Sequence, residues 1–318
     1  MNGQAYVVID VGKSGTRIKI HPWAEVLVGP GAAPELAGGP EAGRYLADLL
    51  AATWSQSGAD GSGMSAVVIG STFLPPTKEQ EACRAALRQI WPSAVITLVS
   101  DGVLAHAAML GGAGTVASLG TGTSVVGMDR SRHLHQMDSW GPDLGDRGSA
   151  ADLGRSALRL ACATVDGVAQ TPGLLRMACD WLGEELDTPA AARLLAAEDR
   201  AARLADFALV ICRGADDGDT DAAALVQRSA RKVADTCTAM AARIGNPTLV
   251  LRGRFATDPS FHAALIPTLR AQGLTLIANN RDVLDIVPDV IADSAYRRTP
   301  QRATGGTTDL TTTALQEF

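Results

Sequence analysis

The chain has 318 residues, a formal net charge of −6, 46% hydrophobic and 19% charged residues, which is enough for two domains with a core each. Without a Lys/Arg run, that charge argues against a nucleic-acid-binding face and for a small polar substrate. Cys83, Cys162, Cys179, Cys212 and Cys237 stand alone, the apolar runs are too short to span a bilayer, and the N-terminus enters a strand without a basic-plus-apolar leader, so a reduced, cytoplasmic protein with no membrane partner is expected.

Residues 7–20, VVIDVGKSGTRIKI, read as a hairpin. The apolar strand Val7–Ile9 runs into Asp10, a tight turn carries Gly12 and Ser14, and Thr16 opens a second, alternating strand. Such a turn can aim N–H groups and small hydroxyls at a phosphate, beside a carboxylate that organises Mg²⁺; the plain alternative is an ordinary hairpin turn. Gly12-Lys13-Ser14 is not a P-loop, because the first Gly of GxxxxGK[ST] falls at Val7.

Val28 to Pro40 is Gly/Pro-rich and poorly patterned. Residues 41–53 read as a helix with Leu46, Leu49 and Leu50 on one face, 65–70 as a buried strand, 77–90 as a helix, and 94–99 as another buried strand. Ser71 and Thr72, just after the first of these strands, are candidate substrate contacts. The second strand ends at Ser100-Asp101-Gly102. Strand ends are where α/β folds place chemistry, and a carboxylate there can take the proton of an attacking hydroxyl; the plain alternative is a helix N-cap. A helix over 103–110 leads to Gly111-Gly112-Ala113-Gly114, a hinge that suggests domains at 1–114 and 115–318.

A second loop of the same kind follows, Gly120-Thr121-Gly122-Thr123-Ser124 between two apolar strands. Alternating Gly and Thr at a strand end let backbone approach a phosphate closely and add hydroxyls; a solvent turn is the alternative. His133 and His135 share one face of the next hairpin, with no set of Cys or carboxylates to complete a metal site, so a solvated hairpin is expected. Trp140 to Ser149 packs three Gly, two Asp and a Trp into ten residues. A flat aromatic beside Asp143 and Asp146 suits a sugar; otherwise this is a loop anchored by a buried Trp. Residues 149–244 are mostly helical, with the longest helix starting near Asp219 or Thr220. A strand over 248–251 leads to Arg252-Gly253-Arg254, a helix spans 259–271, and the tail after Arg297 is weakly patterned. Two strand-turn-strand loops about a hundred residues apart suggest two similar domains, an old duplication, closing on one nucleotide as a phosphotransferase or ATPase.

The order of the Asp10 loop, the Ser100-Asp101 strand end, the Gly120–Thr123 loop and the Trp140–Ser149 segment resembles the BadF/BadG/BcrA/BcrD ATPase family, which includes N-acetylglucosamine kinases and belongs to the actin/hexokinase superfamily. The resemblance extends to Gly218-Asp219 and to Leu251-Arg252-Gly253. It implies an α/β protein of two actin-like (ribonuclease H-like) domains with a nucleotide cleft between them, acting on a small-molecule sugar with ATP and Mg²⁺. By this resemblance Asp101 is the catalytic base. Asp10, with Gly12, Ser14 and Thr16, forms the first phosphate site and orders the metal, and Gly120, Thr121, Gly122 and Thr123 form the second. Gly253 and Arg254 fall in the adenosine loop, and Trp140 and Asp146 meet the sugar. Three departures stand out. Arg147 replaces the Glu of Gly-Asp-Glu-Gly-Ser, Arg254 replaces the second Gly of the adenosine loop, and the first hairpin is not followed by an Asn for the sugar. Three functions compete: a kinase for N-acetylglucosamine or a related hexose or amino sugar, a non-catalytic sugar or nucleotide sensor, and an ATPase activator of a dehydratase, whose cluster-bridging cysteines have no counterpart close after the second loop. A homodimer is left open.

Overall fold

The computed structural model describes residues 5–13, 15–23, 25–32, 41–279, 281–286, 288–293, 295–296 and 300–302. Strands β1 (Tyr6–Val11), β2 (Thr16–His21) and β3 (Val26–Gly29) form an antiparallel meander. Strands β4 (Ala66–Ser71) and β5 (Val95–Ser100) then add in parallel on the other side of β1, giving the order β3-β2-β1-β4-β5. Antiparallel neighbours need only tight loops, whereas each parallel step needs a crossover. The crossovers are helices α1 (Ala42–Ser55) and α2 (Thr77–Leu87), followed after β5 by α3 (Asp101–Met109).

The second sheet repeats the rule. Strands β6 (Gly114–Leu119), β7 (Thr123–Met128) and β8 (Leu134–Asp138) form the meander, and β9 (Thr248–Arg252) and β10 (Thr275–Leu276) add in parallel, in the order β10-β9-β6-β7-β8. Read from the opposite edge, this is the strand order of the first sheet, which supports the expected duplication. The crossover from β8 to β9 is enlarged to a helical layer: α4 (Ala150–Val165), α5 (Pro172–Leu182), α6 (Thr188–Ala196), α7 (Arg200–Asp216) and α8 (Thr220–Ile244). Helix α9 (Pro259–Ala271) joins β9 to β10, and the short α10 (Pro288–Ala292) lies near the end. The architecture is thus α/β with two sheet-based domains.

Burial explains the patterns in the sequence. Val7, Val8 and Ile9 are fully buried because β1 is covered on both faces, while β2, nearer the sheet edge, alternates buried and half-buried residues. Helix α3 is the layer between the sheets: Val103 and Leu104 pack with Val8 and Val68 of the first sheet and with Val116 and Val126 of the second. Its neutral His106 ties three parts together, meeting the Tyr296 hydroxyl at 3.1 Å and the Gly114 carbonyl at 3.1 Å.

The chain also turns back after β10. Asp282 accepts from Arg17 at 2.9 Å, Asp285 pairs with Lys19, and the His21 ring meets the Leu284 carbonyl at 2.7 Å. Val283, Leu284 and Ile286 pack into the same interdomain core. Residues 282–286 are therefore stitched to the first sheet, whereas Gln301 returns to β8 of the second, exchanging backbone hydrogen bonds with Leu134 and Gln136.

Helices α8 and α9 lie where the sequence places them. Asp219 caps α8 by accepting from the N–H groups of Asp221 and Ala222, and Gly245 ends it at φ 62°. Helix α3 starts earlier than expected, at Asp101, because the Ser100 hydroxyl accepts the Val103 N–H and closes its first turn. The four-residue β3 falls partly in the stretch read as unpatterned, and its terminal Gly29-Pro30 hid it. Most of the expected weak tail lies outside the described residues. Among the described residues, no helix is long and apolar enough to cross a membrane.

Candidate active site between the two sheets

The register of the first sheet gathers the first group. Asp10 lies opposite Gly70, Val11 opposite Ser71, and Ser71 opposite Ser100, so the C-terminal ends of β1, β4 and β5 form one edge, with Asp101 at the start of α3. Asp101 is half-buried, accepts the Gly102 N–H at 2.7 Å and hydrogen-bonds the Thr72 hydroxyl. Burial, with Asp10 close enough to repel it, holds the Asp101 carboxyl above the usual carboxylate range. Arg252, at the end of β9, opposes that shift. This places Arg252 electrostatically in the cleft, half-buried, and not as the purely solvent-facing charge its sequence context suggests.

Ser71 and Thr72 divide their roles. The Ser71 hydroxyl is fully buried and donates to the Phe73 carbonyl at 3.0 Å, so it shapes the strand end, whereas Thr72 faces the candidate base. Asp10 accepts from Arg17 at 2.9 Å. Mg²⁺ in phosphoryl-transfer sites is held by one or two carboxylates together with substrate phosphates and waters. Among the described residues no cluster of three metal-ligating side chains exists. A lone Asp10 carboxylate, with one oxygen engaged by Arg17, fits a metal carried in with a nucleotide and does not fit a protein-caged one.

The first loop closes with the Gly12 N–H donating to the Gly15 carbonyl at 2.9 Å; Ser14 lies outside the described residues. The loop joins two antiparallel strands, in keeping with the rejection of a P-loop. Thr16 does not offer its hydroxyl to the cleft, because it is fully buried and donates to the Pro30 carbonyl at 2.7 Å. Thr123 behaves likewise, donating to the Arg147 carbonyl at 3.1 Å.

In the second loop the Gly120 N–H donates to the Gly122 carbonyl at 3.0 Å. The carbonyls of Gly120 and Thr121 accept from Ala150 and Ala151, the first N–H groups of α4. Space beside Gly120 is open, so backbone there is accessible to a ligand. Gly122 is glycine for another reason: a Cβ there would lie 2.6 Å from the Asp146 carboxylate.

Asp146 joins the two loops. It is 3% exposed, at φ 53°, accepts the Thr123 N–H, and pairs with Lys13 of the first loop at 3.7 Å. Burial pushes its carboxyl up, with Lys13 opposing. Its backbone is pinned by Asp138, a fully buried carboxylate that accepts the N–H groups of Asp146 (2.6 Å) and Arg147 (3.0 Å) and the Arg147 Nε at 3.1 Å. Arg147, the departure from the acidic pattern, is therefore neutralised by Asp138. Trp140 is 57% exposed, with the Arg302 guanidinium 4.1 Å from its ring centre, so it is not a buried anchor. Gly253 sits at φ 101°, where a Cβ would lie 2.1 Å from the Leu119 carbonyl oxygen. The 252–254 loop is thereby pressed onto the strand that enters the second phosphate loop, with Arg254 exposed beside it. His135, expected in solvent, is buried between Asp129 (3.0 Å) and Arg243 (3.1 Å).

Four residues here carry no local signal in the sequence: Lys13, whose Gly-Lys-Ser setting is not a P-loop, and Arg17, Asp138 and Arg252, whose partners are distant in the chain or across a turn. The left-handed Asp138-Ser139 pair, at φ 61° and 60°, is the one feature that a strand ending in Asp-Ser hints at.

The fold is that of a two-domain α/β protein of the actin-like type. The sequence pattern of the BadF/BadG/BcrA/BcrD ATPase family matches residues 9–281, and the chain belongs to that family. A proposed N-acetylglucosamine kinase of Porphyromonas gingivalis superimposes with a TM-score of 0.70 at 20% identity, over 91% of this chain and 99% of that one. A proposed N-acetylglucosamine kinase of Chromobacterium violaceum gives 0.68 at 22% identity, over 86% and 94%. A ROK family transcriptional regulator, a homolog of the E. coli MLC protein, gives 0.56 at 11% identity, over 93% and 79%. Comparison with curated protein sequences finds no match.

Proposed function

We propose that the protein transfers the γ-phosphoryl group of ATP to a sugar hydroxyl, with N-acetylglucosamine or a related hexose as substrate. One observation carries this reading: Lys13 of the first loop reaches Asp146, which rests on Gly122 of the second, so the two loops come together, as a nucleotide shared between them would require. The similarity in fold to the two proposed N-acetylglucosamine kinases supports it.

In this reading Asp101 accepts the proton of the attacking hydroxyl, and Thr72 orients its carboxylate. The open backbone at Gly120 and the turn at Gly12 hold phosphates, and Lys13 adds positive charge beside them. Asp10 is the residue that holds Mg²⁺ arriving with the nucleotide, whose chemistry is to neutralise charge on the phosphate oxygens. Gly253 and Arg254 flank the base, where the exposed guanidinium of Arg254 stacks on adenine. Trp140 offers the sugar an apolar face, and Asp146 accepts from its hydroxyls. Because Asp138 already neutralises Arg147, and Arg200 holds Asp143 at 2.9 Å, the segment offers a protonated amine little net attraction. A neutral sugar is therefore preferred over glucosamine.

The test is ADP release with Mg·ATP and a panel of sugars. Release that depends on N-acetylglucosamine or glucose supports the reading, and sugar-independent release refutes it. A second reading, a non-catalytic sensor, is favoured by the Arg17 guanidinium that already occupies one Asp10 oxygen. Ligand binding without turnover would select it.

A further inference from the structure

Away from the two loops, the helical layer of the second half holds a half-open cavity of about 550 Å³, within the range of small-molecule pockets. Helix α4 supplies Leu158, α6 Leu194 and α7 Leu204, and Leu186 closes the wall before α6. Three arginines line it: Arg155 and Arg159, one turn apart on α4, and Arg200 at the start of α7. Two carboxylates, Asp143 and Asp166, line it as well, and Arg200 is held by Asp143 at 2.9 and 3.1 Å.

Arg155 is different. Its Nε and Nη2 atoms are buried without a hydrogen-bond partner. Arg155 as a whole is half-buried, and a guanidinium does not give up its proton in a protein. Three arginines face two carboxylates in this lining, and among the described residues only Arg200 forms an ion pair with one of them, so the positive charge left over calls for an anion. The leucine wall asks for the opposite chemistry, an apolar body.

We propose that this cavity is a binding site for a small amphipathic anion, with a carboxylate, sulfonate or phosphate on Arg155 and a compact apolar body among the leucines. The site shares no residue with the two phosphate loops or with Asp101. It touches the substrate segment only at Asp143, so it stands independently of the phosphoryl-transfer reading.

The test is fluorescence titration of the full chain at fixed ionic strength with 8-anilinonaphthalene-1-sulfonate and its uncharged relative N-phenyl-1-naphthylamine. Saturable binding of the sulfonate at one site is expected. Arg155→Met is expected to weaken it about tenfold or more, the scale of one charge-assisted hydrogen bond, and to leave the uncharged dye within about twofold. Ala191→Trp, which fills the cavity from α6, is expected to weaken both dyes. In the unmodified protein, octanoate is expected to displace the sulfonate at concentrations where octanol does not, a result that needs no variant to fold. Sulfonate binding unchanged in folded Arg155→Met, or retained in folded Ala191→Trp, overturns the proposal. So does equal displacement by octanol and octanoate.

Discussion

Asp101 and Asp10 illustrate how single residues in this cleft act on each other. Burial and the neighbouring Asp10 charge raise the Asp101 carboxyl, so its basic form is lost as pH falls through a value above the ordinary carboxylate range. The acid limb of the rate profile should sit there, and Asp10→Asn, by removing a like charge, should move that limb to lower pH. A limb unmoved by Asp10→Asn would separate the two residues. Asp101→Asn should lower turnover by about 10²–10⁴ while leaving nucleotide affinity and the melting profile intact, the usual worth of a general base; near-normal turnover would remove Asp101 from the mechanism. The positions of both aspartates near the C-terminal ends of β1 and β5 are legible in the sequence because each follows an apolar run. Lys13, Arg17 and Arg252 were not, because their meaning lies in partners at Asp146, Asp282 and Asp101 that only the folded register brings near. The hydroxyls of Thr16 and Thr123 were misread for the same reason: nothing local shows that Pro30 and Arg147 carbonyls take them.

At the scale of elements, two kinds of glycine explain how the loops are built. Gly253 combines φ 101° with a Cβ position 2.1 Å from the Leu119 carbonyl oxygen, so both conformation and space demand glycine. Gly253→Ala should destabilise the protein by about 1–3 kcal/mol, measured by urea unfolding, through the junction between β9 and β6. Gly120 has open space beside it and no left-handed backbone among the positive-φ residues of the described chain. Gly120→Ala should therefore leave stability within about 1 kcal/mol while weakening ATP binding, because the methyl enters the space a phosphate needs. Calorimetry on the variant decides this, and unchanged affinity would remove the loop from the nucleotide site. The helices were readable from the sequence because caps such as Asp219 and Asp258 carry their own signal. The two-residue β10 was not, since its pairing with β9 and not its own pattern makes it a strand.

Across the whole molecule, the two repeats are held together by α3 and by the returning residues 282–286. We propose a domain boundary at about residue 114, where β6 opens the second sheet. His106 sits at that junction, and burial lowers its pKa from 6.5 to about 4. The unfolded chain therefore takes up this proton first. The contribution to stability is complete above about pH 6.5 and is lost as pH falls towards about 4, roughly 2 kcal/mol of it by pH 5. His106→Gln should flatten that part of the difference between urea unfolding at pH 7.5 and pH 5; an unchanged difference would show that His106 is not held neutral. The repeated sheet is anticipated by two short loops alone, whereas the stitching of residues 282–285 onto β2 is not, because it rests on ion pairs more than 260 residues apart. The central claim, phosphoryl transfer to a sugar, is tested most directly by ³¹P NMR of the protein with Mg·ATP and N-acetylglucosamine. The expected result is a sugar phosphate resonance growing in step with ADP and absent in Asp101→Asn, whereas ADP accompanied only by inorganic phosphate would contradict it.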